Sequence, residues 1–293
     1  MLPEFIQKSV INYLSKADSS IIPKIHNSSG LSGGSINTAV RLKTSHGDFF
    51  VKYNTAHRFP AMFQKEARGL ALLGQAGVID VPQVLHLDED EEHAFLMLSY
   101  IDSAQEANDF WDDFGERLAA LHRTHAEKFG LDHDNYMGSL YQRNSQHDDW
   151  VEFFIMERLE PQIKLAREDG NLSRNDVTAF ERLYKKLDSI FPETQPSLVH
   201  GDLWSGNFMV NHEGRACLID PAAYYGHPEI DIAMSTLFGG FSNRFHEAYN
   251  RHNPLEKGWR YRLPVYNLYP LMVHVNLFGG SYLSSVRQTL RQF

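Results

Sequence analysis

Asp202, Asn207 and Asp220 form a set that could do chemistry. Asp202 and Asn207 stand five residues apart in Leu198-Val199-His200-Gly201-Asp202-Leu203-Trp204-Ser205-Gly206-Asn207, and Asp220 follows the apolar pair Leu218-Ile219. An acid, an amide and a second acid on a loop between apolar runs supply a base beside a hydroxyl and two hard oxygen ligands. That is the equipment of kinase-type phosphoryl transfer. Mg²⁺ keeps several of its waters, so one or two protein oxygens besides the phosphates are enough to hold it. His200-Gly201-Asp202 by itself also suits a turn closed by an Asx cap. The complete set favours chemistry.

Such a set needs a phosphate cradle and a cation. Gly33-Gly34, with Ser35 and Asn37 beside it, falls in a turn between strand-like runs, where backbone N–H groups can approach a phosphate with no Cβ in the way. A plain hairpin turn is the competing reading. No Gly-Lys-Ser/Thr follows, so this is not a Walker A loop. Lys52 ends the apolar strand Phe49-Phe50-Val51 and is expected to reach the α/β-phosphates, with Glu66 of the next helix as its carboxylate partner. The alternatives are a lysine pointing to solvent and an exposed helix glutamate. An adenine edge would be read by backbone groups of Leu98-Ser99-Tyr100-Ile101, the Ser99 carbonyl and the Ile101 amide.

On the acceptor side, Trp204 between the acid and the amide offers a ring for the C–H face of a sugar, or else packs beneath the cleft. Tyr224, in Tyr224-Tyr225-Gly226-His227, is expected to shape the acceptor pocket, with core packing as its rival. Asp231 lies at a helix start and suits a bond to the catalytic-loop backbone better than catalysis. His122 and His125 are three apart on one expected helix, but no cluster with zinc spacing joins them.

The periodicity says what must position these groups. Pro3 to Lys16 reads as an amphipathic helix, and Ile21–His26, Thr38–Thr44 and Phe49–Tyr53 as a strand meander. A helix over Pro60 to Gln75 stops at Gly74/Gly77, and Val84–Leu87 and Ala94–Leu98 are two more strands joined by a solvated acidic turn. After Asp102 the chain turns helical, over Glu106–His125, Asp148–Glu168 and Ser173–Ile190. A short strand pair, Phe208–Val210 and Ala216–Ile219, follows the loop, and helices run on from Glu229. The expected fold is α+β and bilobal. Residues 1–98 form a small β-rich N-lobe for the nucleotide, 99–102 a hinge, and 103–293 a larger helical C-lobe with the catalytic loop and acceptor site.

Composition bounds the rest. The 293 residues are 42% hydrophobic and 22% charged, as in a soluble globular protein. A net charge of -9 argues against non-specific nucleic-acid binding. Cys217 is the single cysteine, so no intrachain disulfide can form, which fits a reducing compartment. No apolar run reaches the length of a membrane helix, about 18 residues, and Glu4 with no basic start argues against a signal peptide. The cytoplasm is the expected location. The oligomeric state is left open, and a monomer would suffice.

Longer runs carry a resemblance. His200-Gly201-Asp202-Leu203-Trp204-Ser205-Gly206-Asn207, Ile219-Asp220-Pro221-Ala222, Tyr224-Tyr225-Gly226-His227-Pro228-Glu229 and Leu237-Phe238-Gly239-Gly240-Phe241 lead it. Asn135-Tyr136-Met137-Gly138-Ser139, Trp150-Val151-Glu152-Phe153-Phe154 and Phe50-Val51-Lys52 with Met62-Phe63-Gln64-Lys65-Glu66 extend it over nearly the whole chain. The chain resembles the fructosamine kinase (ketosamine-3-kinase) family of the protein-kinase-like fold. The resemblance implies ATP-dependent phosphorylation, with Mg²⁺, of the 3-hydroxyl of a small or protein-bound ketosamine. The phosphorylated adduct falls off, so the implied role is deglycation, with a lean towards ribulosamine-type acceptors. One departure stands out. Family members often carry Cys in the glycine loop where this chain has Ser35, so a disulfide-linked dimer through that loop has no thiol here. Three rivals remain: an aminoglycoside, choline or homoserine kinase with a different acceptor pocket, a non-catalytic ATP binder, and a purely structural protein. Intact Lys52, Asp202, Asn207 and Asp220 argue against the latter two.

Overall fold

The computed structural model describes residues 2–18, 20–31 and 36–293. The expected phosphate turn at Gly33, Gly34 and Ser35 lies outside the described residues. The first part of the chain is an antiparallel sheet in the order β1-β2-β3-β5-β4. Its strands are β1 (Ile25–Gly30), β2 (Thr38–Thr44), β3 (Gly47–Thr55), β4 (Val84–Glu89) and β5 (His93–Ser99). The first strand begins at Ile25, later than the expected Ile21 to His26 run, because Ile21 and Ile22 are left exposed ahead of the sheet.

Alternation along the strands sorts their side chains. Phe95 and Met97 of β5 and Val51 of β3 face one side, where Ile6, Val10 and Leu14 of α1 (Glu4–Ala17) cover them. Ala94, Leu96 and Leu98 face the other side and meet Phe63, Ala67 and Leu70 of α2 (Met62–Gln75). Lys52 follows Val51, so the pleat turns it to the α2 side and buries it. A basic residue in a covered sheet face needs a charged partner, and α2 supplies one.

The rest is mainly helical, around one large core. Helix α3 (Phe110–Leu121) is shorter than the expected Glu106 to His125: a turn over 108–109 precedes it, and it begins at a residue that buries, Phe110. It crosses α9 (Asn243–His252) so closely that a Cβ on Gly115 would sit 2.4 Å from the Phe245 carbonyl oxygen. The expected helix over 148–168 starts at Asp149, whose carboxylate accepts the Glu152 N–H at 2.7 Å, and runs as α4 (Trp150–Phe153) and α5 (Glu160–Glu168). A π-helical stretch, Phe154–Leu159, lies between them and buries Arg158. The 173–190 helix divides into α6 (Arg174–Tyr184), closed by a Ser173–Asp176 capping box, and α7 (Leu187–Ile190). Two pairs of three-residue strands had no expectation: β6 (Asn135–Met137) with β7 (Leu140–Gln142), and β8 (Ser197–Val199) with β11 (Tyr224–Gly226). The expected pair β9 (Phe208–Val210) and β10 (Ala216–Leu218) is present. Helices α8 (Glu229–Leu237), α10 (Trp259–Tyr266), α11 (Leu268–Phe278) and α12 (Leu283–Leu290) complete the chain. Among the described residues no helix is long and apolar enough to cross a membrane.

Candidate active site

Strand β8 delivers the chain into the loop that holds Asp202, and the β9–β10 hairpin returns it to Asp220. The loop turns at Gly201, with φ +83°, where a Cβ would lie 2.2 Å from the Ala222 carbonyl oxygen. Only glycine accepts both that backbone angle and that approach. Asn207 closes the loop from the other end: its Nδ2 donates to the Asp202 carbonyl and to Asp202 Oδ2, both at 2.9 Å. The amide therefore fixes one carboxylate oxygen and leaves Oδ1 of Asp202 without a hydrogen bond among the described residues. Burial pushes the Asp202 carboxyl up to about 7, against the Asn207 hydrogen bond that favours the charged form, and the nearby Asp220 and Asp231 charges add to the rise.

Lys52, Glu66 and Asp220 meet as a triad. Lys52 Nζ donates to Asp220 Oδ1 at 2.7 Å and lies 2.5 Å from Glu66 Oε1. Burial acts to lower the lysine pKa, but the Asp220 and Glu66 carboxylates outweigh it and hold the ammonium charged. Burial likewise acts to raise Asp220, and Lys52 reverses the sign, keeping that carboxyl ionised below its ordinary range. Glu66 is pushed up to about 7, because burial and Asp220 exceed what the shared lysine returns. Asp220 has φ +52°, a left-handed backbone that Asp tolerates better than most residues. Its side chain keeps 52% exposure, so one oxygen binds Lys52 and the other stays open. Asn207 Oδ1 accepts no hydrogen bond among the described residues. A carboxylate and an amide oxygen of this kind suit Mg²⁺ with the remaining positions taken by water and phosphate. Among the described residues no cluster of three or more His, Cys, Asp or Glu is arranged for a metal.

Behind the loop, Asp231 of α8 is fully buried. Its Oδ2 accepts the His200 N–H at 2.7 Å and its Oδ1 the Gly201 N–H at 2.9 Å. His122 Nε2 adds a third bond to Oδ2 at 3.1 Å, and Tyr249 O–H meets His122 Nδ1 at 2.7 Å. Burial acts to raise Asp231, but these donors outweigh it and lower it below the usual carboxylate range. The sequence expectation for Asp231 described this geometry. His122 was noticed only for its spacing to His125, and its partner lies 109 residues away. His200 donates from Nε2 to the Ile219 carbonyl at 2.9 Å, and its Nδ1 accepts the Asp202 N–H at 3.3 Å, which fixes a neutral ring. Burial lowers its pKa accordingly.

The other candidates separate. Ser99 ends β5 and gives its N–H to the Gln83 carbonyl at 2.9 Å. Among the described residues the Ile101 N–H has no backbone partner. Trp204 is 37% exposed, meets Phe238 edge-on at 6.0 Å and lies over Gly206, where a Cβ would come within 2.3 Å of the indole. It is the surface ring beside Asp202. Tyr224 is not in the pocket. Its side chain is fully buried, stacked on Phe153 at 5.6 Å, with the Arg158 guanidinium 4.0 Å from its ring centroid. The strand β11 alternates, and pairing Tyr224 with Val199 turns it into the core. Phe238 and His274, whose rings lie 4.9 Å apart, extend the surface that Trp204 begins, and neither was singled out for this from sequence.

A sheet with its lysine paired to a helix glutamate, above a loop bearing an acid, an amide and a second acid, defines a kinase-fold phosphotransferase. The fructosamine kinase family model matches residues 7–293. A probable ketoamine kinase of Enterococcus faecium is 41% identical over 263 residues, 89% of this chain and 93% of that protein. The chloroplastic protein-ribulosamine 3-kinase of Arabidopsis thaliana is 34% identical, covering 89% and 80%. A solved structure of a candidate fructosamine-3-kinase from Thermobifida fusca superposes with a TM-score of 0.85 at 33% identity, over 97% of both chains. The aminoglycoside phosphotransferase APH(4)-Ia shares the fold alone, with a TM-score of 0.64 at 14% identity over 97% and 98% of the two chains. The chain belongs to the fructosamine kinase family and is an ATP-dependent phosphotransferase.

Proposed function

We propose that the protein transfers the γ-phosphoryl group of ATP to the 3-hydroxyl of a ketosamine, fructosamine or ribulosamine, free or on a protein, and so promotes its deglycation. The observation that carries the chemistry is the Asp202 carboxylate, held by Asn207 through one oxygen with the other free, beside the Lys52–Asp220 pair. Family membership carries the acceptor class. Asp202 accepts a hydrogen bond from the sugar hydroxyl and orients it in line with the phosphate. Its raised pKa suits it to take the proton as the new P–O bond forms. Lys52, kept charged by Glu66 and Asp220, holds the α/β-phosphates, and Gly33, Gly34 and Ser35 are assigned to them from sequence. Asn207 and Asp220 are the oxygen donors for Mg²⁺, which when bound neutralises phosphate charge. The Ser99 carbonyl and Ile101 amide read the adenine edge. A structure of an APH(4)-Ia mutant, which shares the fold, is a ternary complex with AMP-PNP and hygromycin B, in keeping with nucleotide use. Trp204, with Phe238, offers ring surface to the C–H face of the sugar. The proposed place of action is the cytoplasm.

Positioning and charge stabilisation do most of the catalysis in such transfers. The test is ATP turnover with a ribulosamine, a fructosamine and an aminoglycoside in parallel, with mass spectrometry of the sugar product. Phosphorylation of a ketosamine at the 3-position is the expected result. Turnover with the aminoglycoside alone would sink the acceptor assignment, and ATP binding without turnover of any acceptor would sink the enzyme reading.

A further inference from the structure

The β6–β7 hairpin is wedged between α2, which carries Glu66, and the segment that follows Asp220. Downwards, Asn135 Nδ2 donates to the Ala223 carbonyl at 2.9 Å and Gln142 Nε2 to the Ala222 carbonyl at 3.1 Å. Gln142 Nε2 also donates to Asn135 Oδ1 at 2.7 Å, and Tyr269 O–H donates to Gln142 Oε1 at 2.7 Å. Asn144 Nδ2 donates to Asn135 Oδ1 at 3.0 Å, and Asn144 Oδ1 accepts from Arg158 Nη2 at 2.7 Å. Asn135, Gln142 and Asn144 are all buried. Polar side chains so connected at low dielectric fix one geometry, because any slip leaves a buried amide unpaired.

Upwards, the same hairpin grips α2. Lys65 Nζ, adjacent to Glu66, donates to the Asp134 carbonyl at 2.5 Å and lies 5.0 Å from the Tyr141 ring centroid. Tyr136 O–H donates to the Pro60 carbonyl at 3.1 Å, ahead of α2. The helix also rests directly on the loop: a Cβ on Gly69 would touch Pro221 at 3.4 Å. A helix that belongs to the sheet by sequence is thus held to the helical part by the hairpin.

We infer that Lys65, Asn135 and Gln142 are positioning residues of the phosphoryl transfer: through the hairpin they lock α2 to the Asp220–Ala223 segment, so that Glu66, Lys52 and Asp220 stand assembled before any nucleotide binds. The inference rests on the roles proposed for Lys52 and Asp220. It makes α2 a fixed part of the site rather than a helix that swings. Misplacement of about 1 Å at a reacting group can cost on the order of a hundredfold in rate, so a modest loosening of α2 is visible in turnover.

The test measures kcat and KM for ATP with a ketosamine acceptor in the full chain. Lys65→Met is expected to lower kcat by roughly tenfold, with KM for ATP changed less and Lys65→Arg, which can donate to the same carbonyl, recovering most of the loss. In a Glu66→Gln background, Lys65→Met should cost little more, because the hairpin acts through Glu66 and the two changes are not additive. Gln142→Met, which removes the amide at similar volume, should also lower kcat in the folded fraction. An unchanged kcat in Lys65→Met, or losses that multiply in the double variant, overturns the proposal. Asp220→Asn distinguishes the two levels. If it stays active, the underlying roles of Lys52 and Asp220 fail. If it is inactive while Lys65→Met turns over normally, only the role of the hairpin fails.

Discussion

Asp202 and Asp231 face the same short loop from opposite sides and have opposite fates. Asp231 accepts three N–H donors and is held ionised below its ordinary range. Asp202 has one side-chain donor, Asn207, and is pushed up to about 7 by burial. Both carboxylates lose solvation, Asp231 wholly and Asp202 in part, and the opposite signs follow their partners. A satisfied carboxylate holds backbone in place and has nothing left to give. An under-satisfied one stores unfavourable free energy that a substrate hydroxyl can relieve. The loop therefore has a structural side and a reactive side, a few residues apart.

The sharpest way to break this comparison is to remove the reactive side. Asp202→Ala should lower turnover on a ketosamine by on the order of 10²–10⁴ while nucleotide binding, read by fluorescence or calorimetry, changes little. Comparable losses of both would make Asp202 a structural residue like Asp231. Asp231→Ala should do the reverse. It strands the His200 and Gly201 N–H groups and His122 in the core, at about 3–5 kcal/mol of unfolding free energy, so denaturant melts should report a large loss of stability.

The pH profile sharpens the same contrast. The raised Asp202 value predicts a kcat/KM limb that climbs with pH and levels off above about 7. In Asp202→Glu the limb should persist at a shifted midpoint, and a limb unmoved by that substitution would assign it to Glu66, also raised to about 7. A smaller effect is expected from Trp204→Ala. Loss of one ring face should raise KM for the ketosamine by about tenfold, or ~1.4 kcal/mol, with KM for ATP unchanged. Equal changes in both would make Trp204 a packing residue.

How much of this was legible in the sequence depends on how local each interaction is. Asp202 and Asn207 bond each other across five residues of one loop, so their spacing was enough. Lys52 and Glu66 could be paired because a strand and the helix after it fix which faces meet. Tyr224 was misread because a three-residue strand has no period to say which face is buried, and its register against β8 decides that. The same shortness hid β6–β7. His122 and Arg158 are polar groups in the core whose partners come from distant or irregular segments, the π-helical stretch in the case of Arg158. No local pattern marks such residues. The expected phosphate turn at Gly33, Gly34 and Ser35 stays a matter of sequence.

The thermal midpoint of Asp202→Asn at pH 8 tests the central claim most directly. The folded carboxyl titrates near 7 against an ordinary 3.8, so its ionised form is disfavoured in the native state. That cost grows as pH rises between those two values and is fully present at pH 8. Replacing the carboxylate with a neutral amide removes the cost. The account predicts a midpoint higher than wild type at pH 8, by about 2–4 °C per kcal/mol relieved, in an enzyme that has lost its turnover. A lower midpoint together with the lost activity would contradict it, since Asp202 would then be a carboxylate that holds the loop together, as Asp231 does.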